Sequence, residues 1–139
     1  PGSVSDYVSG FEDWLPTLLE AVGAKGAIPA NADGVSLLPT LLGKAQPERA
    51  FLYREFPAYG GQQSVRVGDW KAVRQGLLPA GKKAAAPVLK TELYNLKADP
   101  QEATDVAAKH PEVVAKLEQI MREQHTPSAE FPFPILDKQ

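Results

Sequence analysis

Residues 91–124, "TELYNLKADPQEATDVAAKHPEVVAKLEQIMREQ", decide the fold class of this chain. The stretch opens with a short strand pattern, turns at Asp99-Pro100 and continues into a helix that Pro111 can start without losing a hydrogen bond. The apolar residues of this helix recur at helical spacing and form one stripe: Val113, Val114, Leu117, Ile120 and Met121. Glu118 is expected on the opposite, solvent-facing side, paired with Arg122. An amphipathic helix directly after a strand predicts that the helix packs across a sheet.

The segments upstream supply further strands for that sheet. "FLYREF" (51–56) alternates, with Leu52 and Phe56 expected on one face and Tyr53 and Glu55 on the other. "SVRVGDWKAVRQG" (64–76) predicts a hairpin with a type II′ turn at Gly68-Asp69. Residues 76–90 are expected to be a loop, which includes Lys82 and Lys83. The predicted fold class is therefore α+β, a small antiparallel sheet of about four strands packed by a C-terminal helix.

The N-terminal part predicts helical structure. "FEDWLPTLLEAVGAKG" (11–26) is typical of a helix capped by Asp13 and ended at Gly23. Its apolar stripe comprises Trp14, Leu15, Leu18, Leu19 and Val22. This stripe has to be covered either by the other side of the sheet or by a partner absent from the chain. A second, short helix is expected around residues 36–42, and residues 127–139 are expected to fray or to add an edge strand.

Composition excludes several classes of function and site. The formal net charge is -2 and the basic residues are scattered, so no nucleic-acid partner is predicted. No apolar run reaches the roughly 20 residues that span a bilayer, so no membrane partner is predicted. The chain has no cysteine, which excludes disulfides, cysteine metal sites and cysteine nucleophiles.

Few polar residues have the spacing of a catalytic or metal site. His110 and His125 lie at the two ends of the last predicted helix, where a structural role is expected. Asp99, Glu102 and Asp105 form an acidic cluster that lacks the spacing of a calcium loop, so a turn is preferred. No metal site is assigned within the chain.

One polar stretch is a candidate ligand site, because loops held by a rigid sheet commonly contact ligands. It is "REFPAYGGQQ" (54–63), which joins two predicted strands through paired glycines. The candidate substrate-binding residues in and beside it are Glu55, Tyr59, Gln62, Gln63 and Arg66. The alternative is a solvated polar turn without a ligand. The aromatic residues of the strands, including Phe56 and Trp70, are interpreted as sheet core and cross-strand pairs.

Four segments in order resemble the C-terminal portion of the arylsulfatase family. They are "DWLPTLLEAVGA", "DGVSLLPTLLG", "FLYREF…GGQQSVRVGDWKAVR" and "ELYNLKADPQEATDVAAKHPEVVAKLEQIM". The resemblance extends from about Val4 to Met121 and is strongest to bacterial members of the arylsulfatase A and N-acetylgalactosamine-6-sulfatase types. It implies that residues 1–46 are the helical end of an α/β catalytic domain. Residues 47–126 would be the C-terminal subdomain and 127–139 an extended tail.

The resemblance also implies a chemistry that this chain does not contain. Sulfatases of this family use a formylglycine made within a C/S-x-P-x-R motif, together with a calcium ion. The chain has no cysteine and no serine in that motif, so calcium and formylglycine are expected in the full-length parent and no catalytic residue is assigned. The resemblance implies an inactive piece of a sulfate-ester hydrolase that supports the catalytic domain and helps wall a cleft for a sulfated sugar or aryl sulfate. A periplasmic or secreted location is also implied.

Two alternatives to that function remain open. The chain can be a free-standing module that binds sulfated glycans or a protein partner, or a proteolytic product of a longer protein.

Overall fold

A computed structural model describes residues 2–79 and 87–138. The predicted loop residues Lys82 and Lys83 lie outside this part. The chain divides into two compact units, Pro1–Leu52 and Tyr53–Gln139. Among the described residues, no helix combines the length and the apolar character that crossing a bilayer requires.

The first unit is built from short helices. Its elements are a 3-10 helix Phe11–Asp13, helix α1 Trp14–Ala21, a 3-10 helix Lys25–Ala27 and helix α2 Leu38–Leu41. Gly23 follows α1 at φ +76°, a conformation that favours glycine, and Ala24 N–H bonds the Leu19 carbonyl at 2.7 Å. Pro39 lies in the first turn of α2, where its missing N–H is tolerated. Both predicted N-terminal helices are confirmed.

Asp13 has a different role from the predicted helix cap. The 3-10 turn before α1 already holds Asp13 in a helical conformation, and its side chain makes no cap hydrogen bond to α1. Its carboxylate instead accepts hydrogen bonds from Gly10 N–H at 2.7 Å and Val35 N–H at 2.9 Å, and it pairs with the Arg49 guanidinium. Because Asp13 is fully buried, these bonds compensate its lost hydration and join distant parts of the unit.

The apolar stripe of α1 is exposed rather than covered. The exposed fractions are 47% for Trp14, 52% for Leu15, 58% for Leu18 and 77% for Val22. The buried residues of α1 are Pro16 and Thr17. Within the described residues, the apolar stripe predicted for α1 is therefore exposed to solvent.

The second unit contains the predicted sheet and helix. The strands are β1 Leu52–Phe56, β2 Gln62–Val67, β3 Trp70–Gln75 and β4 Thr91–Asn95, in the spatial order β1-β2-β3-β4. After β4 come a 3-10 helix Ala107–Lys109 and helix α3 Pro111–Gln124. The turn residue Gly68 has φ +55°, as a glycine-first hairpin turn requires. The α+β class with a four-stranded sheet and a packed C-terminal helix is confirmed.

A cross-strand row of apolar residues lies under α3. Val65, Ala72 and Leu93 are direct neighbours on β2, β3 and β4, and each is fully buried. On the helix, Leu117 and Met121 are buried to the same degree. These five side chains come from the predicted strand and helix periodicities, so the local patterns account for the centre of the core.

A polar row runs beside the apolar one on the same sheet face. Gln63, Arg74 and Thr91 are cross-strand neighbours, and the Arg74 guanidinium is almost fully buried. It donates to Thr91 Oγ1 at 2.9 Å and to Gln63 Oε1 at 3.2 Å, and it lies 3.1 Å from Glu118 Oε1. Burial acts to raise the pKa of Glu118, but hydrogen bonds from Thr91 and Arg74 outweigh burial and lower that pKa. The prediction that Glu118 faces solvent is therefore wrong, because its carboxylate compensates the charge of the buried Arg74 guanidinium.

The residues after α3 complete a second apolar cluster, and we refer to residues 126–138 as the C-terminal segment. Phe133 and Leu136 are buried against Leu77, which follows β3. Within the described residues this segment forms turns and no strand, so the expected edge strand is absent. The prolines of this segment favour turns over ladder pairing, and its apolar side chains have an alternative place to be buried.

Replacing Gly61 by alanine should loosen the C-terminal segment. A Cβ at Gly61 would lie 2.8 Å from Leu78 Cγ and 2.9 Å from Phe133 Cε1, and φ is +79°. We expect Gly61→Ala to cost roughly 2–5 kcal/mol in chemical denaturation, from left-handed strain and overpacking combined. Gly60→Ala is the matched control, since its φ is +81° but its nearest atom is 3.9 Å away. Equal losses from both variants would contradict the packing described for Phe133.

Removing the charge of Arg74 should destabilise the second unit. Arg74→Leu leaves Gln63 and Glu118 without their buried donor, and we expect a loss of roughly 3–5 kcal/mol in the free energy of unfolding. Arg66→Leu is the matched control, because Arg66 lies at the exposed hairpin, where its Nε–H donates a hydrogen bond to the Gly68 carbonyl. The control should change stability by no more than about 0.5 kcal/mol. Thermal or urea unfolding of both variants measures the difference.

Candidate functional site

The turn between β1 and β2 presents two aromatic rings to solvent. Phe56 is 50% exposed and Tyr59 85% exposed, and their ring centroids lie 6.1 Å apart. Tyr59 has φ +53°, an uncommon conformation for a residue other than glycine. Backbone hydrogen bonds from Leu77 N–H and Leu78 N–H to the two glycine carbonyls hold the turn in place. The interpretation of Phe56 as sheet core is therefore wrong, since its ring lies on the outer face.

A shallow cavity of about 160 Å³ lies on the same outer face of the sheet, opposite α3. We call it the outer groove, and its lining residues are Arg54, Phe56, Gln62, Ser64, Lys71 and Val73. Strand alternation places Gln62 and Ser64 here while Gln63 and Val65 point toward α3. The Lys71 ammonium is held by Glu102, with Nζ–Oε distances of 2.6 and 2.8 Å.

The outer groove combines groups that suit a polar ring-shaped ligand. An aromatic ring can stack on the apolar face of such a ligand, while amide, hydroxyl and ammonium groups donate hydrogen bonds to it. Because the ammonium of Lys71 is paired with Glu102, it offers an N–H donor rather than a net positive charge. The groove is open and shallow, so it can form one side of a binding site.

The five predicted site residues do not converge on this groove. Gln62 lines it, and Tyr59 contacts its edge through Phe56. Arg66 lies at the hairpin end of the sheet, where its Nε–H donates to the Gly68 carbonyl at 2.9 Å. Glu55 and Gln63 face α3 and are occupied by hydrogen bonds within the protein.

The groove is also lined by Arg54, Ser64 and Lys71, which were not among the site residues predicted from the sequence. The available signal was strand alternation: with Gln62 chosen, its neighbours two residues along and across the sheet lie on the same face. Their types are ordinary for an exposed strand, so composition does not distinguish them.

A second polar cluster lies on the α3 side, around His125. The ring nitrogens Nδ1 and Nε2 lie 2.7 Å from Glu55 Oε1 and 2.9 Å from Asp137 Oδ1. Glu55 also accepts a hydrogen bond from the Tyr53 hydroxyl. Burial acts to raise the pKa of Tyr53, and the neighbouring Glu55 carboxylate adds to that rise. A cavity of about 140 Å³ adjoins the cluster, and its lining includes Gln63 and Arg122.

The other histidine and the acidic cluster have structural partners, in line with the predictions for them. His110 packs on Trp70 with ring centroids 4.8 Å apart. Asp105 Oδ1 accepts hydrogen bonds from Leu93 N–H at 3.1 Å and Ala107 N–H at 2.9 Å. Burial acts to raise the pKa of Asp105, but these two bonds and Lys90 lower it overall. Among residues 2–79 and 87–138, no three His, Cys, Asp or Glu side chains are grouped to hold a metal ion.

Comparisons with known proteins agree on one family. No family model matches the chain. Arylsulfatase K of Gallus gallus is 33% identical over 129 residues, which cover 86% of this chain and 22% of that protein. N-acetylgalactosamine-6-O-sulfatase of Bacteroides thetaiotaomicron is 31% identical over 108 residues, which cover 73% of this chain and 21% of that protein. The chain thus spans about a fifth of the length of the curated relatives it matches.

A solved structure shows the same relationship in three dimensions. It is a Bacteroides thetaiotaomicron protein designated 6S-sulf, solved in work on the metabolism of multiple glycosaminoglycans. The TM-score is 0.59 at 28% identity, and the match covers 80% of this chain and 24% of that one. The sequence and structural matches together place this chain in the arylsulfatase family of sulfatases, in which it corresponds to a C-terminal portion.

Proposed function

We propose that this chain supports the catalytic domain of a sulfatase and supplies one wall of its substrate cleft. In this proposal residues 1–46 are the helical end of the catalytic domain and residues 47–126 the C-terminal subdomain. The partner is the rest of the same sulfatase, since roughly four fifths of each curated relative lies outside the match.

The observation that carries the proposal is the exposed apolar face of α1. Three large apolar residues of α1, Trp14, Leu15 and Leu18, and Val22 directly after it are between 47% and 77% exposed. An amphipathic helix gains its stability mainly from covering such a face. Contiguous exposed apolar surface marks an interaction site. A larger sulfatase provides the missing cover, whereas a small ligand does not bury a whole helix face.

The outer groove is the part of the chain that we propose faces the substrate. Tyr59 and Gln62 are the predicted site residues that we retain for this role, together with Phe56 and Lys71. The rings offer a stacking surface for a sugar or aryl group, and Lys71, which is paired with Glu102, offers an N–H donor to a sulfate ester. Glu55 and Gln63 face α3 rather than the outer groove, and Arg66 lies at the hairpin end of the sheet, which favours a supporting role for these three residues.

The reactive groups of the family do not fit this chain. A formylglycine requires a cysteine or serine in the C/S-x-P-x-R motif, and the chain has neither in that pattern. The described residues also offer no cluster suited to a calcium ion. We therefore assign the nucleophile and the metal to the rest of the parent protein, and we derive no catalytic step from these residues.

The isolated chain should be inactive as a hydrolase. Incubated with a chromogenic aryl sulfate and calcium, it should release no more product than buffer, because it lacks the C/S-x-P-x-R motif from which the formylglycine nucleophile is made. An active arylsulfatase in the same assay serves as the positive control. Turnover by the purified chain would contradict the assignment of the nucleophile and the metal to the rest of the parent protein.

A free-standing glycan-binding module is the second candidate, and the outer groove is the observation in its favour. Calorimetric titration of the isolated chain with sulfated glycans distinguishes the two functions. One open wall should bind too weakly for a micromolar dissociation constant. Micromolar binding that Lys71→Ala abolishes would instead favour the module.

Charge placed on the α1 face should have different effects in the isolated chain and in the full-length sulfatase that contains this sequence. Val22→Glu should change the stability of the isolated chain by no more than about 0.5 kcal/mol, since Val22 is largely exposed there. In the full-length enzyme the carboxylate would be buried without a partner, at a cost of roughly 3–5 kcal/mol. Thermal unfolding and soluble yield measure the effect.

Val88→Glu is the matched control, because Val88 is exposed to almost the same degree but belongs to the second unit and is not part of α1. It should be tolerated in both proteins. If Val22→Glu is tolerated in the full-length enzyme as well, the α1 face is not covered by the rest of the sulfatase.

A further inference from the structure

His125 joins three segments that are far apart in the chain. It follows the last residue of α3, and its ring contacts Glu55 of β1 and Asp137 of the C-terminal segment. The sequence separations are 70 and 12 residues. The side chain is only 9% exposed, so both ring nitrogens rely on these carboxylates for hydrogen bonds.

Both contacts require a protonated ring. Ionised carboxylates only accept hydrogen bonds, and a neutral imidazole has one N–H donor while an imidazolium has two. Deprotonation therefore replaces one of the two bonds by a contact between a nitrogen lone pair and a carboxylate. A neutral His125 can hold Glu55 or Asp137, but not both.

The charges around the ring favour the protonated form. The titratable and charged groups that contact the ring or line the adjoining cavity are Glu55, Asp137 and Arg122. Burial acts to lower the pKa of His125, but the hydrogen bonds and charges of the two carboxylates outweigh burial and raise that pKa above its ordinary value near 6.5.

The segment that His125 holds also touches the turn proposed to face the substrate. Asp137 belongs to a tight turn in which its N–H and that of Leu136 both donate to the Phe133 carbonyl. The Phe133 ring packs so closely on Gly61 that a Cβ there would lie 2.9 Å from Cε1. Gly61 is two residues after Tyr59, so the clamp, the buried ring and the exposed aromatic turn form one continuous set of contacts.

We propose that His125 is a pH-operated clamp that locks the C-terminal segment and, through Phe133, the β1–β2 turn. The protonated ring bridges Glu55 and Asp137 and keeps the turn ordered. Loss of the proton releases Asp137, loosens the Phe133 contact and lets the Tyr59 turn move. Because binding of the proton is strengthened in the folded protein, the clamp is closed below the ordinary histidine pKa and opens as pH rises through the raised value. The regulatory consequence rests on the proposed role of this turn as a cleft wall.

Nuclear magnetic resonance of the 139-residue chain tests the clamp directly. The ring signals of His125 and His110 are titrated from about pH 5 to about pH 9, which spans the range in which histidine changes charge. Backbone order parameters of residues 57–61 and 129–138 are measured at each pH. We expect values near 0.85 at the acidic end that fall below about 0.6 in the C-terminal segment at the alkaline end. The midpoint should coincide with the His125 titration.

Three variants separate the clamp from a general loss of structure. In His125→Ala the C-terminal segment should be mobile at every pH, with no transition. Asp137→Asn should shift the His125 midpoint downward, because one anionic partner is lost. His110→Ala removes the other histidine and should leave the transition of the C-terminal segment unchanged.

The proposal is overturned by a segment that stays equally ordered across the pH range, or by a transition that follows His110. These measurements use no sulfate ester and no partner protein. A negative result would therefore leave the sulfatase proposal intact, and a failure of the α1 or hydrolysis experiments would leave the clamp intact.

Discussion

The buried guanidinium of Arg74 is the constraint on which the second unit depends. A cation that is removed from water needs hydrogen-bond partners and charge close by, and each of its partners lies on a different element. Gln63 lies on β2, Thr91 on β4 and Glu118 on α3. The same interaction thus specifies the register of three strands and the rotation of the helix about its axis. A slip by one residue would turn Arg74 to solvent and every apolar neighbour with it.

Because the face that carries Arg74 packs under α3, the opposite face of the sheet points outward. Gln62, Ser64 and Lys71 are there because Gln63, Val65 and Ala72 are needed underneath α3. The outer groove is in this sense a consequence of the core. Its aromatic edge carries the exposed rings of Phe56 and Tyr59, and the Gly60 and Gly61 carbonyls of the same turn accept hydrogen bonds from the residues after β3. A surface of this kind can serve as one side of a cleft, while the apolar face of α1 requires protein cover.

Features of the structure that depend on local backbone requirements were predicted correctly from the sequence. Pro111 starts α3, Gly23 ends α1 and Gly68 turns the hairpin because each position has a backbone requirement that neighbouring residues cannot change. The predictions were wrong where a polar side chain binds partners that are distant in sequence. Asp13 was predicted to cap a helix, yet it binds Val35 and Arg49, 22 and 36 residues away. Of the five candidate site residues, adjacent Gln62 and Gln63 point to opposite faces, which no reading of "GGQQ" by composition distinguishes.

By itself, the sequence determined the α+β class, the four strands, the last helix and the membership of a known family, since periodicity, turn residues and segment order are properties of the chain. Only the tertiary structure decided that Glu118 turns inward, that Phe133 and Leu136 are buried, and that His125 lies between Glu55 and Asp137. The physical reason is that burial and ion pairing depend on which elements pack together, and such packing brings together residues as distant in sequence as Glu55 and His125, 70 positions apart. Local sequence patterns carry no information about contacts at that range.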